Sequence, residues 1–178
     1  MPICKAALEA LRRASNPGRR SFRGVLQLAR VERVYDGDTI NVLTALDNRE
    51  PYYEYSLRIL GIDAPELTPP RRMRYRELHV EAAKVARDRL RVLIPEKSII
   101  CVDYKPEEKY GRLLGAVYAD EWELYDDDPN RVLTESSNLG LRLLEEGFVN
   151  EYWGRGKTPF TRGKLERIIR LGQQYGLR

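Results

Sequence analysis

The residues best suited to chemistry lie in three short segments: "DGDT" (Asp36–Thr39), "RILGIDAPE" (Arg58–Glu66) and "KYGR" (Lys109–Arg112). Each segment lies at the end of an apolar run or in a loop between such runs, where functional groups concentrate. Carboxylate and carbonyl oxygens are the ligands that hard cations such as calcium take. The planar guanidinium of arginine can bind a phosphate through two parallel hydrogen bonds. Because phosphoryl transfer needs charge neutralisation and an oriented nucleophile, the three segments indicate phosphate chemistry.

Five predicted strands would position these segments. Residues Val25–Val34 and Thr39–Leu46 are rich in β-branched and apolar residues with partial alternation, so they predict two strands joined by the turn "YDGDT". A third strand is predicted over Tyr52–Leu60. The runs "SIICVDY" and "RLLGAVYA" predict two more, one on each side of Lys109–Arg112. Each charged segment therefore adjoins a predicted strand.

Three predicted helices complete the pattern. Apolar residues recur at helical spacing over residues 78–93, and Pro95 ends this amphipathic helix. A serine at position 136 or 137 can cap a second helix that runs to Gly147. The third spans Arg162–Leu171 and is followed by glycine.

The order of these elements is three strands, a helix, two strands and two helices. This order predicts an α+β fold that is mainly β: a five-stranded OB-fold Greek-key barrel with three helices. Strands and helices do not alternate regularly, which argues against a doubly wound parallel sheet.

Charge is unevenly distributed along the 178 residues, whose net charge is +4. Residues 1–24 carry +5 and residues 155–178 carry +6, so residues 25–154 carry −7. We expect a basic, flexible N-terminal tail at 1–24, one domain over 25–154, and a basic C-terminal helix and tail at 155–178 that packs on or extends the domain. Basic ends around an acidic centre suit a polyanion partner and a bound cation. Tails that are basic for solubility are the alternative.

With the three segments in this order and a helix between the second and the third, the sequence resembles the staphylococcal nuclease (thermonuclease) family. The matching residues are Asp36–Thr39, Arg58, Gly61–Glu66 and Lys109–Leu113, and the resemblance covers Val25–Trp153. No single motif is specific, and the identification depends on all three together. The resemblance implies an OB-fold barrel with three helices and a calcium-dependent phosphodiesterase active on DNA and RNA.

The resemblance also implies a metal site and a residue that acts on water. Asp38 and Asp63 would provide calcium carboxylates, and Ala64 would contribute its backbone carbonyl. Glu66 would activate or orient the attacking water.

The remaining roles concern the substrate phosphates. Arg58 and Arg112 would hold the scissile phosphate, and Lys109 and Tyr110 would contact a neighbouring one. We also expect Arg58 to begin a strand that crosses the barrel and ends at Asp63.

Two function classes remain open at this point. The first is a nuclease, and the second is a catalytically weak nucleic-acid-binding or scaffold module of the same family. The presence of the metal carboxylates, the glutamate and both arginines favours the nuclease. In either class we expect a monomer whose partner is DNA or RNA.

Targeting and membrane signals are weak. No run of about 18 apolar residues indicates a membrane span. The N-terminal stretch lacks the long apolar segment of a secretory signal, so an intracellular location is favoured, with an Arg-rich organelle presequence as the alternative.

Three other features have simpler interpretations. His79, the single histidine, is expected to be a surface or packing residue rather than a catalyst. The acidic run Asp126–Asp128 is read as a solvated loop, because it lacks the glycine and glutamate of a calcium-binding loop. The family resemblance places Trp153 near a position where an aromatic ring could stack on a base.

Overall fold

The computed structural model describes residues 25–45, 52–105, 112–119 and 137–177. The tail at 1–24, the Asp126–Asp128 run and two predicted substrate-binding residues, Lys109 and Tyr110, lie outside the described residues. The described strands are β1 (Val25–Val34), β2 (Thr39–Thr44), β3 (Tyr53–Ile59), β4 (Gly61–Asp63), β5 (Ile99–Lys105), β6 (Leu113–Tyr118) and β7 (Asn150–Tyr152). The described helices are α1 (Arg76–Leu93), α2 (Leu139–Glu146) and α3 (Arg162–Gln174).

Five of the strands form a closed barrel in the order β1-β2-β3-β6-β5. Its neighbouring strands are antiparallel except for the parallel pair β3 and β6. Alternate residues of β2 and β3, such as Ile40, Val42 and Leu57, are fully buried and fill the interior. The predicted fold class, an α+β and mainly β barrel of five strands with three helices, is confirmed.

The third predicted strand, Tyr52–Leu60, is observed as β3, but it does not continue to Asp63. We expected one strand to cross the barrel from Arg58 to Asp63, and this expectation is wrong. Gly61 adopts a φ of +85°, which turns the chain, so β3 ends at Ile59 and Arg58 lies near its end. The following β4 leaves the barrel and pairs antiparallel with β7. A Cβ atom at Gly61 would lie 3.1 Å from the indole of Trp153, so glycine also permits this close approach.

The helix α3 continues past its predicted end because it packs on α1. Thr161 caps its N-terminus by accepting a hydrogen bond from the Lys164 amide at 3.2 Å. Gly172 lies inside the helix, where a Cβ atom would be 2.7 Å from Cγ1 of Val85. The glycine that was expected to end the helix instead allows close packing between α3 and α1.

The second helix begins at a different cap from the two predicted serines. The side chain of Asn138 accepts a hydrogen bond from the Leu141 amide at 3.2 Å, and α2 follows directly. The helix ends at Gly147, which has a φ of +89°, as the sequence predicts.

A salt bridge connects α1 and α2. Arg89 donates two hydrogen bonds to the carboxylate of Glu146, from Nε at 2.7 Å and from Nη2 at 2.6 Å. The same guanidinium lies 4.4 Å from the ring centroid of Tyr175, just beyond α3.

None of the described helices has both the length and the apolar character that a membrane span requires.

Candidate active site

Arg58 joins two acidic residues that the sequence predicts to act together. Its Nη1 donates to Oδ1 of Asp38 at 3.1 Å, and its Nη2 donates to Oδ1 of Asp63 at 3.2 Å. The Nη2 group also donates to the Ile62 carbonyl at 3.2 Å. These three charged side chains are only 11%, 6% and 7% exposed, respectively. The structure therefore assembles three of the predicted site residues into one largely buried cluster.

Strand pairing accounts for this assembly. In the β2–β3 ladder Thr39 lies opposite Arg58, and the Ile59 amide donates to the Asp38 carbonyl at 2.8 Å. In the β4–β7 ladder Asp63 lies opposite Asn150. The break between β3 and β4 lets the chain bring Asp63 back toward Arg58, five residues earlier.

Both carboxylate oxygens of Asp38, in the "DGDT" turn, accept hydrogen bonds. Besides the arginine contact, its Oδ1 accepts a hydrogen bond from Thr39 Oγ1 at 2.9 Å and its Oδ2 accepts one from the Ala64 amide at 2.9 Å. A Cβ atom at Gly37 would lie 2.8 Å from the Ala64 side chain, so glycine allows the turn to approach Ala64. Asp36 accepts a hydrogen bond from the Asp38 amide at 3.0 Å. Burial, together with the charge of Asp38, raises the pKa of Asp36 to about 6.

A lysine that the sequence interpretation missed lies between the outer carboxylates. The Nζ of Lys157 is 2.7 Å from Oδ1 of Asp63 and 3.6 Å from Oε1 of Glu66. Burial lowers the pKa of Lys157, but the hydrogen bond to Asp63 and the charges of both acids outweigh it, so the pKa is raised. The ring of Tyr152 lies beside both cations, 5.6 Å from Lys157 Nζ and 5.7 Å from Arg58 Cζ.

Glu66 is the exposed member of the group. Its side chain is 54% exposed, and with Asp63 and Ala64 it forms part of the lining of a cavity of about 680 Å³. The buried Pro65 precedes it. Glu66 is therefore accessible to water and to a ligand while it remains next to the buried cluster.

Arg112 lies at the start of the neighbouring strand. It immediately precedes β6, and the parallel β3–β6 register pairs Arg58 with Leu114. Alternate residues of an extended chain face the same side, so this register favours a position for Arg112 on the Arg58 side of the sheet. The predicted contacts of Lys109 and Tyr110 fall outside the described residues.

The donor atoms fit a hard cation. Among the described residues, no three side chains of histidine, cysteine, aspartate or glutamate form a group that could hold a metal ion. The predicted calcium set is smaller, two carboxylates from Asp38 and Asp63 and the carbonyl of Ala64, and it consists only of oxygen. Arg58 and Lys157 already place positive charge against the Asp63 carboxylate. The residues of the predicted set therefore offer the oxygen donors that a hard cation takes.

Comparison with known proteins relates the chain to nucleases. A family model described as staphylococcal nuclease homologue matches residues 56–168. The sequence is 26% identical to the probable endonuclease LCL3 of Uncinocarpus reesii (strain UAMH 1704), over 88% of this chain and 52% of that protein. It is 35% identical to an uncharacterized endonuclease of Escherichia coli O157:H7, over 51% of this chain and 47% of that protein. The chain thus spans about half the length of these relatives.

Proposed function

The chain belongs to the staphylococcal nuclease homologue family, and on that basis we propose that it is a calcium-dependent nuclease that hydrolyses phosphodiester bonds of DNA or RNA by attack of water. The observation that carries this proposal is the cluster in which Arg58 joins Asp38 to Asp63, with Glu66 next to it.

Asp38, Asp63 and the carbonyl of Ala64 would hold the calcium ion. Bound calcium would neutralise phosphate charge and make a bound water more acidic. Arg58 keeps the two carboxylates in fixed positions through separate nitrogens, which favours a preorganised site over one that must assemble around its ligand.

The proposed substrate contacts are those that the family resemblance implies. Arg58 and Arg112 would bind the scissile phosphate, and Lys109 and Tyr110 would contact a neighbouring phosphate. Glu66, an exposed carboxylate beside Asp63, would accept a proton from the attacking water or hold that water in line with phosphorus.

The alternative is a catalytically weak nucleic-acid-binding or scaffold module. The observation in its favour is that Arg58 and Lys157 both contact the Asp63 carboxylate, which is thereby neutralised without a metal ion. We favour the enzyme, because the metal carboxylates, the glutamate and both arginines that the family resemblance implies are all present in the sequence.

One experiment separates the two functions. The full chain is incubated with supercoiled DNA and with RNA, in calcium, in magnesium or in excess chelator. We expect cleavage in calcium, loss of cleavage in chelator and recovery when calcium is restored. Asp38→Ala should weaken calcium binding in a titration, whereas Asp88→Ala, which removes an α1 carboxylate paired with Arg91, should not. Full cleavage in chelator would contradict the metal mechanism, and no cleavage under any condition would favour the scaffold.

A further inference from the structure

The segment between β4 and α1 is strongly basic. Residues 69–76, "PPRRMRYR", contain four arginines and no acid, although residues 25–154 together carry −7. The four arginines are all exposed: Arg71, Arg72, Arg74 and Arg76. The Met73 amide donates to the Pro70 carbonyl at 2.9 Å, so the first two arginines lie at the corner of a tight turn. None of the proposed catalytic roles uses any of the four.

These arginines are not neutralised by the described part of the chain. No salt bridge joins any of the four to a carboxylate of a described residue. Exposed arginines elsewhere do pair, as Arg30 does with Glu32 at 2.6 Å. Arg74 instead lies against an aromatic ring, with its guanidinium 4.8 Å from the ring centroid of Tyr75. The positive charge of the segment is therefore available to an external anion.

Two arginines also lie where they do not stabilise the helices. Arg76 and Arg162 are the first residues of α1 and α3. Because the N-terminus of a helix carries partial positive charge, a cation at this position is unfavourable. Glu166, one turn later, compensates Arg162 by accepting a hydrogen bond from its Nε at 2.7 Å, whereas Arg76 has no such partner among the described residues. Helix stability therefore does not explain an arginine at position 76.

Basic side chains line two cavities that adjoin each other. The first, about 680 Å³, has Asp63 and Glu66 in its lining, and the second, about 500 Å³, lies at the start of α1. Tyr75 lines both, so the two cavities form one groove that extends from the candidate active site to α1. The basic residues of this arginine groove are Arg74, Arg76, Lys157 and Arg162. Glu77 lines the second cavity, so cations outnumber acids in the groove away from the active site.

Part of the lining of the first cavity is tightly packed. His79 is only 6% exposed, and its ring lies edge-on against Phe160 with centroids 5.8 Å apart. This is the packing role that the sequence predicts for the histidine. An apolar wall between cations suits the sugar rings that separate successive phosphates of a nucleic acid.

The position of the groove favours a phosphodiester backbone over other anions. The guanidinium fork matches the geometry of a phosphate group. If the candidate active site holds the scissile phosphate, the next phosphates of the same strand follow at regular intervals, and the groove starts at Glu66. An acidic protein or an anionic membrane would have no reason to bind beside that residue.

We propose that the arginine groove binds the sugar–phosphate backbone of the substrate strand on one side of the scissile phosphate. The proposal rests on the proposed nuclease function and deepens it, because it makes the substrate a strand that extends over several nucleotides on that side. A strand shortened on that side is then a poorer substrate, and one shortened on the other side is not affected by the groove.

The first test measures binding in chelator, so that it does not depend on cleavage. Fluorescence anisotropy follows an end-labelled single-stranded oligonucleotide at several salt concentrations. In Arg74→Gln/Arg76→Gln we expect affinity to fall by about tenfold and the slope of log K against log salt to become shallower by about 0.7 for each phosphate contact that is lost. Arg74→Lys/Arg76→Lys keeps the charge and should keep the slope.

The matched control removes the same charge outside the groove. Arg167 and Arg170 are exposed on α3 and line neither cavity, so Arg167→Gln/Arg170→Gln should bind almost as the unmodified chain does. Equal losses in the two glutamine variants would show a general charge effect and overturn the proposal. Unchanged oligonucleotide affinity in the groove variant would overturn it too, and loss of binding to phosphatidylserine vesicles in that case would identify a membrane surface instead.

The second test measures cleavage in calcium of oligonucleotides shortened from either end. We expect the unmodified chain to lose cleavage on shortening from one end, and Arg74→Gln/Arg76→Gln to be insensitive to that end. If the unmodified chain cleaves but both variants respond alike to shortening, the groove is overturned while the nuclease remains. If nothing is cleaved but the groove variant alone binds more weakly in chelator, the groove is supported and the nuclease proposal fails.

Discussion

Lys157 supplies a positive charge to two carboxylates of the candidate site from a segment without regular structure. Its Nζ contacts Asp63 directly and lies 3.6 Å from Glu66. A bound cation would approach the same two acids, so the lysine and a metal ion compete for this negative charge unless the side chain moves. At the residue scale, this proposed competition can be tested directly.

Replacing Lys157 by methionine should strengthen calcium binding. The lysine is about half exposed, so the effect should be small, on the order of 0.5–1 kcal/mol or a few-fold in affinity. Calcium titration by calorimetry without nucleic acid measures it. Lys105→Met removes a similar partly exposed pair, with Asp103 on β5, and should leave the affinity unchanged. Calcium affinity that is unchanged or weaker in Lys157→Met would show that the lysine does not compete.

The sequence indicated the motif residues but not all of their neighbours. Asp38, Arg58 and Asp63 were predicted from segments that family resemblance marks out, and the structure brings them into contact. Lys157 and Tyr152 were missed because no local pattern relates them to the site. The β4–β7 pairing sets Tyr152 opposite Gly61, and Lys157 follows a few residues after β7. The chemical roles of all the site residues stay predictions.

At the scale of elements, alternation and glycine positions predicted most strands and helices but not where they break. Residues 57, 59, 60 and 62 are all apolar, so the run reads as one strand, whereas Gly61 divides it. The opposite error occurred at Gly172, which reads as a helix end but lies inside α3 against Val85. In both places the outcome depends on a tertiary neighbour that local sequence does not reveal.

The pair of Arg89 and Glu146 should make stability depend on pH. Burial raises the pKa of Glu146, but hydrogen bonds from Arg89 and Arg142 outweigh it, so the pKa lies below the usual 4.5. A lowered pKa stabilises the fold above about pH 4.5, and this contribution is lost as the pH falls through the lowered value. Glu146→Gln should therefore cost about 2 kcal/mol of unfolding free energy near neutral pH and less in acid.

Urea unfolding at neutral and acidic pH measures this difference. Glu166→Gln removes the exposed pair with Arg162, whose side chains are 43% and 65% exposed, and is the matched control. It should cost less than about 0.5 kcal/mol at either pH. A Glu146→Gln penalty that is the same at both pH values would contradict the assigned role of the pair.

At the scale of the whole molecule, the order of elements and the family resemblance together predicted the barrel. Three strands, a helix and two strands, without regular alternation, leave few compact arrangements, and the observed closure of β1 on β5 is one of them. The predicted domain limits at 25–154 stay a prediction. Charge is the other whole-molecule property, with +5 on residues 1–24 and −7 on residues 25–154.

Deleting residues 1–22 should weaken binding to long nucleic acid and flatten its dependence on salt. Binding without the tail neutralises fewer phosphates and therefore releases fewer counterions. The slope of log K against log salt should become shallower by about 0.9 for each phosphate contact that is lost. The barrel begins at Val25, so cleavage of a short oligonucleotide should be unchanged. A salt slope equal to that of the full chain would mean that the basic tail does not contact the polyanion.

The most direct test of the central claim, a metal-dependent nuclease in which Glu66 acts on water, is a single-turnover cleavage assay of Glu66→Gln in saturating calcium. The substitution keeps size and a hydrogen-bonding carbonyl but removes the charge, so the rate should fall by about 10²-fold or more. Oligonucleotide affinity, measured separately, should change little. Glu81→Gln, an exposed position on α1, should cleave at the normal rate. Equal rates for Glu66→Gln and the unmodified chain would remove Glu66 from the mechanism, and no cleavage by either would contradict the nuclease itself.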